Sequence, residues 1–163
     1  MLARAARRSI HSTALRAAAE NASAAGATKV TLNLNTPHQS FYKKAEVDLV
    51  QIPGLVGEYG ITARHTPIIS QLKPGVIVVH EERDKVVKKF FTAGGFAFTH
   101  ADSVTDIACV ELVKVEDIDA SAAEAGVTKY KQLMDQAAQG SVERVEAQIA
   151  YETHVAMVAA LAA

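Results

Sequence analysis

The sequence predicts an α+β chain in which an antiparallel β-sandwich or barrel is followed by an antiparallel α-helical hairpin. Between Lys29 and about Val115 the apolar residues alternate, or cluster in short β-branched runs parted by turn residues, as many short antiparallel strands do. After Glu116 the apolar period changes to three and four, the spacing of a helix face. Pro37, Pro53, Pro67 and Pro74 all fall between the β runs, where a missing N–H harms no ladder.

The first 17 residues hold Arg4, Arg7, Arg8 and Arg16 and no acid, among Ala, Leu, Ser and Thr. This is the composition of a mitochondrial transit peptide, a basic amphipathic helix whose apolar side here is Leu2, Ile10 and Leu15. Arg8, Ile10 and Thr13 fit a two-step presequence cleavage that places the mature start near Ala18. Residues 18–27 are mostly Ala, Ser and Gly without periodicity and read as a flexible leader. Removing the four arginines takes the 17 basic residues to 13 against 18 acidic ones, a mature charge of −5. An acidic body without Trp or a basic run argues against nucleic acid as a partner. Lys43-Lys44 and Lys88-Lys89 read as solvated strand edges. Cys109, the only cysteine, cannot form an internal disulfide, in keeping with a reducing compartment. No apolar run reaches the roughly 18 residues of a spanning helix.

The β domain is expected over residues 28–115, with strand-like runs at 30–34, 45–52, 75–79, 86–92, 95–99 and 104–113. In Val30-Thr31-Leu32-Asn33-Leu34 the apolar side chains share one face, as in a half-buried strand. The hairpin is expected over residues 116–163. Ala123, Val127, Tyr130, Met134 and Ala138 lie on one side of its first helix, which Gln139-Gly140-Ser141 ends. Gly140 suits a left-handed C-terminal position, and Ser141 can cap the second helix with Glu143 in its first turn. Val142, Val145, Ile149, Ala156 and Ala160 form the second stripe, and so short a break folds the helices back antiparallel. Alanines bury little area each, so the hairpin needs further support. Gly126 costs its helix about another 1 kcal/mol relative to Ala.

No catalytic constellation emerges. The histidines, at 11, 38, 65, 80, 100 and 154, include no two at ligand spacing, and His80-Glu81-Glu82 lacks the second histidine of a metalloprotease helix. A nucleophile elbow is missing, and Cys109 sits in an apolar β run as a buried structural thiol would. Gly54, Gly57 and Gly60 recur at three, which is no phosphate loop, and no Walker lysine follows Gly94-Gly95. Those two glycines read as a bulge or bend between strands ending at Thr92 and starting at Phe96. A sandwich that binds a small ligand or sugar would offer stacking aromatics, yet aromatics are 6% and Trp is absent. The residues give no catalytic, cofactor-binding or metal site, only surfaces.

Gly57-Glu58-Tyr59-Gly60-Ile61, His65-Thr66-Pro67 and Gln71-Leu72-Lys73-Pro74-Gly75-Val76 are together similar to the most recognisable stretch of the ATP synthase delta and epsilon family. Lys89-Phe90-Phe91-Thr92-Ala93-Gly94-Gly95-Phe96-Ala97, followed by Ala101-Asp102-Ser103, resembles the family's second block, and the likeness covers about residues 28–160. The resemblance implies a ten-stranded sandwich with a helical hairpin and a non-catalytic, cofactor-free rotor role in the central stalk, coupling proton translocation to ATP synthesis. It implies as partners the gamma subunit, the ring of membrane c subunits and a small mitochondrial epsilon subunit. Its place would be the matrix side of the mitochondrial inner membrane, peripheral through the ring. The family's ring-docking loop falls here on Gly57, Glu58, Tyr59, Arg64 and His65, and Pro74 and Gly75 turn the chain back into the sheet. The family commonly has Pro and then Asn or Gly ahead of the histidine, whereas this chain has Ala63-Arg64, a less rigid loop with an added positive charge. Some bacterial relatives bind ATP through an Ile/Leu-Asp-x-x-Arg-Ala motif. Here Ile118-Asp119-Ala120-Ser121-Ala122-Ala123 has alanine in place of the arginine, so no bidentate phosphate partner is expected.

Overall fold

In the computed structural model, which describes residues 26–83 and 85–162, the alternating runs become ten strands. They are β1 (Val30–Asn35), β2 (Ser40–Val47), β3 (Leu49–Gly54), β4 (Gly57–Ile61), β5 (Ile68–Leu72), β6 (Gly75–Glu82), β7 (Val86–Thr92), β8 (Gly95–Thr99), β9 (Val104–Cys109) and β10 (Leu112–Lys114). A 3₁₀ turn (Val115–Asp117) leads to helices α1 (Ala120–Gln136) and α2 (Val142–Ala162). The expected transit peptide, its cleavage near Ala18 and the leader up to residue 25 lie outside the described residues.

The strand order is β10-β7-β6-β3-β5-β8-β9-β1-β2, with β4 paired to β3 off this path. Because β3 meets β5 only at Gly54↔Leu72, the sheet folds there into two layers. Val30, Leu32, Leu34, Ile107 and Ala97 of one layer close on Val50, Ile52, Ile61, Ile77, Val79 and Phe90 of the other. Full burial of a Val or Ile side chain contributes about 1.5–3 kcal/mol, so this seam dominates the fold's stability. The sheet is antiparallel except for one pair. β1 and β9 run parallel, Thr31↔Val104 through Asn35↔Ala108, and the Asn33 amide donates across them to Asp106 Oδ1 at 2.6 Å.

Six runs resolve into ten strands for local reasons. Asp48 divides the 45–52 run: its backbone N–H donates to the His80 carbonyl while its carboxylate accepts from Arg83 N and pairs with Lys29. Those bonds turn the chain from β2 in one layer to β3 in the other. Likewise Val110 and Glu111 divide the 104–113 run between β9 and β10. Pro53 corrects an expectation, since it lies inside β3, opposite Glu58. By that point β3 has passed β6, which pairs only with Leu49, Val50 and Gln51, so no β6 acceptor waits for its missing N–H; its carbonyl still accepts from Lys73 N.

The hairpin also departs from its expected stripes. Helix α1 turns Ala123, Gly126, Val127, Tyr130 and Met134 inward, but it ends at Gln136, so Ala138 is outside it and exposed. Ala137 is already extended, and Gly140, at φ +83, serves the connection rather than the helix end. The orphan carbonyls of Met134 and Ala137 are met instead by the Arg144 guanidinium, at 3.0 and 3.4 Å. Ser141 Oγ accepts from Arg144 N and caps α2. On α2 the buried residues are Ala147 and Ala160, while Val142, Val145 and Ile149 are exposed. Ala147 turns toward α1 and Ala160 toward β6, small residues that permit close approach, while the larger Val142, Val145 and Ile149 stay outside.

Candidate functional site

The segment expected to form one docking loop is mostly a strand. Gly54 and Gly57 pair at the tip of the β3–β4 hairpin, leaving Leu55 and Val56 as its two-residue turn. Val56 is fully exposed and Leu55 58% exposed. Alternation along β4 then sends Glu58 outward and Tyr59 inward, where Tyr59 packs against the core beside Gly54. Tyr59 is therefore half-buried against the core rather than fully presented at the surface. Glu58 faces the groove that also holds Lys73, Pro74 and Ala156.

Arg64 and His65 lie beyond the other end of β4. Arg64 adopts a left-handed φ of +60, and its N–H donates to Ser103 Oγ at 2.8 Å, which fastens residues 62–67 to the β8–β9 turn. The His65 ring is satisfied locally by Thr66 O at 2.8 Å. The sandwich thus has two separate ends. One carries the Leu55-Val56 tip, the Lys73-Pro74 turn and Gly94; the other carries Arg64, His65, His100 and Asp48. Glu58 and Arg64 belong to different ends.

Lys73 and Pro74 are the two residues between β5 and β6, and a side chain on Gly75 would press on Pro53. Gly94 and Gly95 join β7 to β8. Thr92 Oγ1 bonds the Gly94 carbonyl and the Glu111 carbonyl there, and a Cβ on Gly95 would run into the Ala108 carbonyl across the ladder. Glycine at 95 is what lets β8 and β9 approach.

The two outer faces of the sandwich differ. Helix α2 lies over one, with Ala156, Ala159 and Ala160 facing Val76, Val78 and His80 of β6. The other, on β5-β8-β9, is uncovered and apolar: Ile69 is 74% exposed, Phe96 50%, and Phe96 and Phe98 stack at 6.4 Å. Register places Ile69 beside Phe98 and Ala108 beside Phe96. Contiguous with its edge, a groove of about 840 Å³ runs past Leu55, Gly94, Val110 and Ile149. Sequence reasoning missed this face. Its signal was Gly95-Phe96-Ala97-Phe98-Thr99, in which the small residues point inward and the aromatics outward.

The seam between the layers is closed by polar chemistry. Glu81 accepts from the Tyr42 hydroxyl at 2.7 Å and from Lys88 Nζ at 2.6 Å. The Lys88 bond, then the Tyr42 bond, holds the Glu81 carboxyl below its ordinary value, while burial first and Glu81 second push the Tyr42 hydroxyl up. Asp119, whose carboxylate caps α1 by accepting from Ser121 N and Ala122 N, is lowered by those backbone bonds. Burial pushes the Cys109 thiol up. Among the described residues no three His, Cys, Asp or Glu side chains are placed to hold a metal, and no helix is long and apolar enough to cross a membrane.

The family model for "ATP synthase, Delta/Epsilon chain, beta-sandwich domain" matches residues 29–111. ATP synthase subunit delta′, mitochondrial, of Ipomoea batatas is 42% identical over 134 residues, 82% of this chain and 66% of that protein. ATP synthase F(1) complex subunit delta, mitochondrial, of Dictyostelium discoideum is 38% identical over 128 residues, 78% of this chain and 74% of that one. Among solved structures, a chain of the Euglena gracilis mitochondrial ATP synthase, in a cryo-EM structure of OSCP/F1/c-ring, superposes with a TM-score of 0.77 at 27% identity, covering 83% of this chain and 82% of its own. A chain of the Tetrahymena thermophila central stalk and c-ring shares the fold, with a TM-score of 0.55 at 18% identity over 83% of this chain and 99% of its own.

Proposed function

The chain belongs to the delta/epsilon family of ATP synthase subunits, and from that premise we propose that it is a non-catalytic central-stalk subunit of a mitochondrial ATP synthase, linking the gamma subunit to the ring of c subunits. The observation that carries the proposal is the asymmetry of the sandwich. One outer face is occupied by the chain's own helix, and the other leaves Ile69, Phe96 and Ala108 exposed with Phe98 half-buried among them. Exposed apolar patches of this kind mark protein interfaces. We assign that face to the gamma subunit.

The ring contact follows from the separation of Glu58 and Arg64. The end that carries Leu55 and Val56 is the docking end, because two apolar side chains at a hairpin tip gain from being covered. Gly57 and Glu58 belong to it. Arg64 and His65, at the opposite end, orient the loop rather than touch the ring. A close-packed sandwich held between gamma and the ring transmits rotation because its interior deforms little under load. No bond is made or broken in this role. Complexes assembled with Val56→Cys or Arg64→Cys test it by cross-linking, with little background from the buried Cys109. Val56→Cys should cross-link to a c subunit and Arg64→Cys should not. The reverse pattern, or failure of the tagged chain to co-purify gamma and the ring, overturns the assignment.

A further inference from the structure

His80 is a half-buried titratable residue, its ring nitrogens turned away from solvent, that the rotor role does not use. On β6 it follows the fully buried Ile77 and Val79 in alternation, so it points out of the core into the groove of about 540 Å³ beneath α2. Both ring nitrogens are shielded from solvent, and neither has a hydrogen-bond partner among the described residues. Leaving such an atom unpaired is costly, and leaving a buried charge unpaired is costlier still.

Among the described residues, its surroundings supply no counter-charge. From β3 it faces Leu49 and from β7 Val87, its register partners. Lys89, opposite Val78 and so diagonal to His80, is cationic. Glu58 lines the same groove but stands opposite Pro53, four residues along β3 from Leu49, about 13 Å away at strand rise. Lys73 lies farther still, before the start of β6. Glu82 follows a register shift and pairs with Lys85, Glu81 is engaged by Tyr42 and Lys88, and Asp48 by Lys29 and Arg83. From α2 the groove receives only Ala156, Ala159 and Ala160.

We propose that His80 is a proton-operated latch on the helical hairpin: with a neutral ring α2 rests on β6, and with a charged ring α2 leaves the sheet. Docked α2 buries the imidazole without a partner for a second N–H, whereas the undocked form exposes it to water and can take up the proton. By linkage, acidification favours the undocked form. An alanine seat is weak, so a modest electrostatic cost suffices to lift it. A comparison of pH 7.5 with pH 5.5 brackets the range in which an ordinary imidazole changes charge, near pH 6.5.

Hydrogen exchange of the full chain, read by mass spectrometry on a peptide spanning residues 155–161 and corrected for intrinsic rates, tests the latch. At pH 5.5 protection there should be at least tenfold lower than at pH 7.5, while the β6 amides keep theirs. His80→Gln, neutral and similar in size, and His80→Leu should abolish the difference. A pH dependence unchanged in His80→Gln overturns the proposal, as does pH-independent protection in the unmodified chain or joint loss of protection in β6. Stronger protection at low pH also overturns it, since a cation held by the C-terminal carbonyls of α2 would produce that result.

Discussion

The His154 ring of α2 occupies the space that a side chain at Gly126 of α1 would need. A Cβ at 126 would overlap Cδ2 and Nε2 of the imidazole. The ring is held there by Nδ1 against the Ala150 carbonyl at 2.7 Å and by Tyr130, whose ring centroid lies 4.9 Å away. The glycine's helical cost of about 1 kcal/mol relative to Ala therefore secures a close crossing of the two helices.

Gly126→Ala should lower the stability of the hairpin by about 1–2 kcal/mol. The overpacking cost of about 1–3 kcal/mol and the loss of the Ala150 bond outweigh the gain in propensity. In a His154→Ala background the sign should reverse, with Gly126→Ala stabilising by up to about 1 kcal/mol. A double-mutant cycle on hairpin hydrogen exchange measures this, and a coupling below about 0.5 kcal/mol would show that the two residues act independently.

The Tyr42–Glu81–Lys88 seam should make stability fall at acid pH. Glu81's folded carboxyl titrates below its ordinary 4.5, so its contribution is present above that value and is lost as pH falls through the folded value. Lys88 is half exposed, which limits the contribution to about 0.5–1 kcal/mol. Glu81→Gln should lose that much at neutral pH and show a shallower decline below pH 4.5. Urea midpoints measured between pH 3 and 7 check both parts.

How much was legible depended on how purely each residue spoke. Val30 to Leu34 reads as a half-buried strand because every second residue is aliphatic, and all three prove fully buried. β4 was silent because two of its five residues are glycine, and its pairing with β3 comes from the Leu55-Val56 turn rather than from an alternating run. Glu58 and Arg64 are neighbours in sequence, yet β4 carries the chain about 13 Å between its ends. No spacing rule reveals that without knowing the strand exists. Gly126 was legible as a penalty, but its purpose was not, since His154 lies on another helix.

Arg64 sits where left-handed φ disfavours a side chain, and the Asn or Gly common at this point in the family tolerates that conformation. Arg64→Asn should raise stability by up to about 1 kcal/mol without loosening the loop. Ser103→Ala should lower it by about 1–2 kcal/mol, because the Arg64 N–H loses its acceptor and Ser103 is itself buried. Thermal unfolding of the two variants decides the matter. Destabilisation by Arg64→Asn would mean that the guanidinium has a role the backbone does not explain.

If the uncovered face binds the gamma subunit, charge placed on it should weaken that complex while leaving the isolated chain folded. Ile69→Lys and Phe96→Glu alter exposed side chains, so each should change stability by only a little, about 0.5 kcal/mol for an ordinary surface site. A charge buried at the centre of an apolar interface lacks a partner and costs several times more. A loss of affinity of tenfold or more is expected, equivalent to about 1.4 kcal/mol. Val142→Glu supplies the control, since Val142 is 69% exposed at the start of α2, away from β5 and β8. Affinity measured with purified gamma subunit should fall for the first two variants and hold for the third. Equal losses in all three would point to the hairpin as the contact, and none in any would leave the apolar face without its assigned partner.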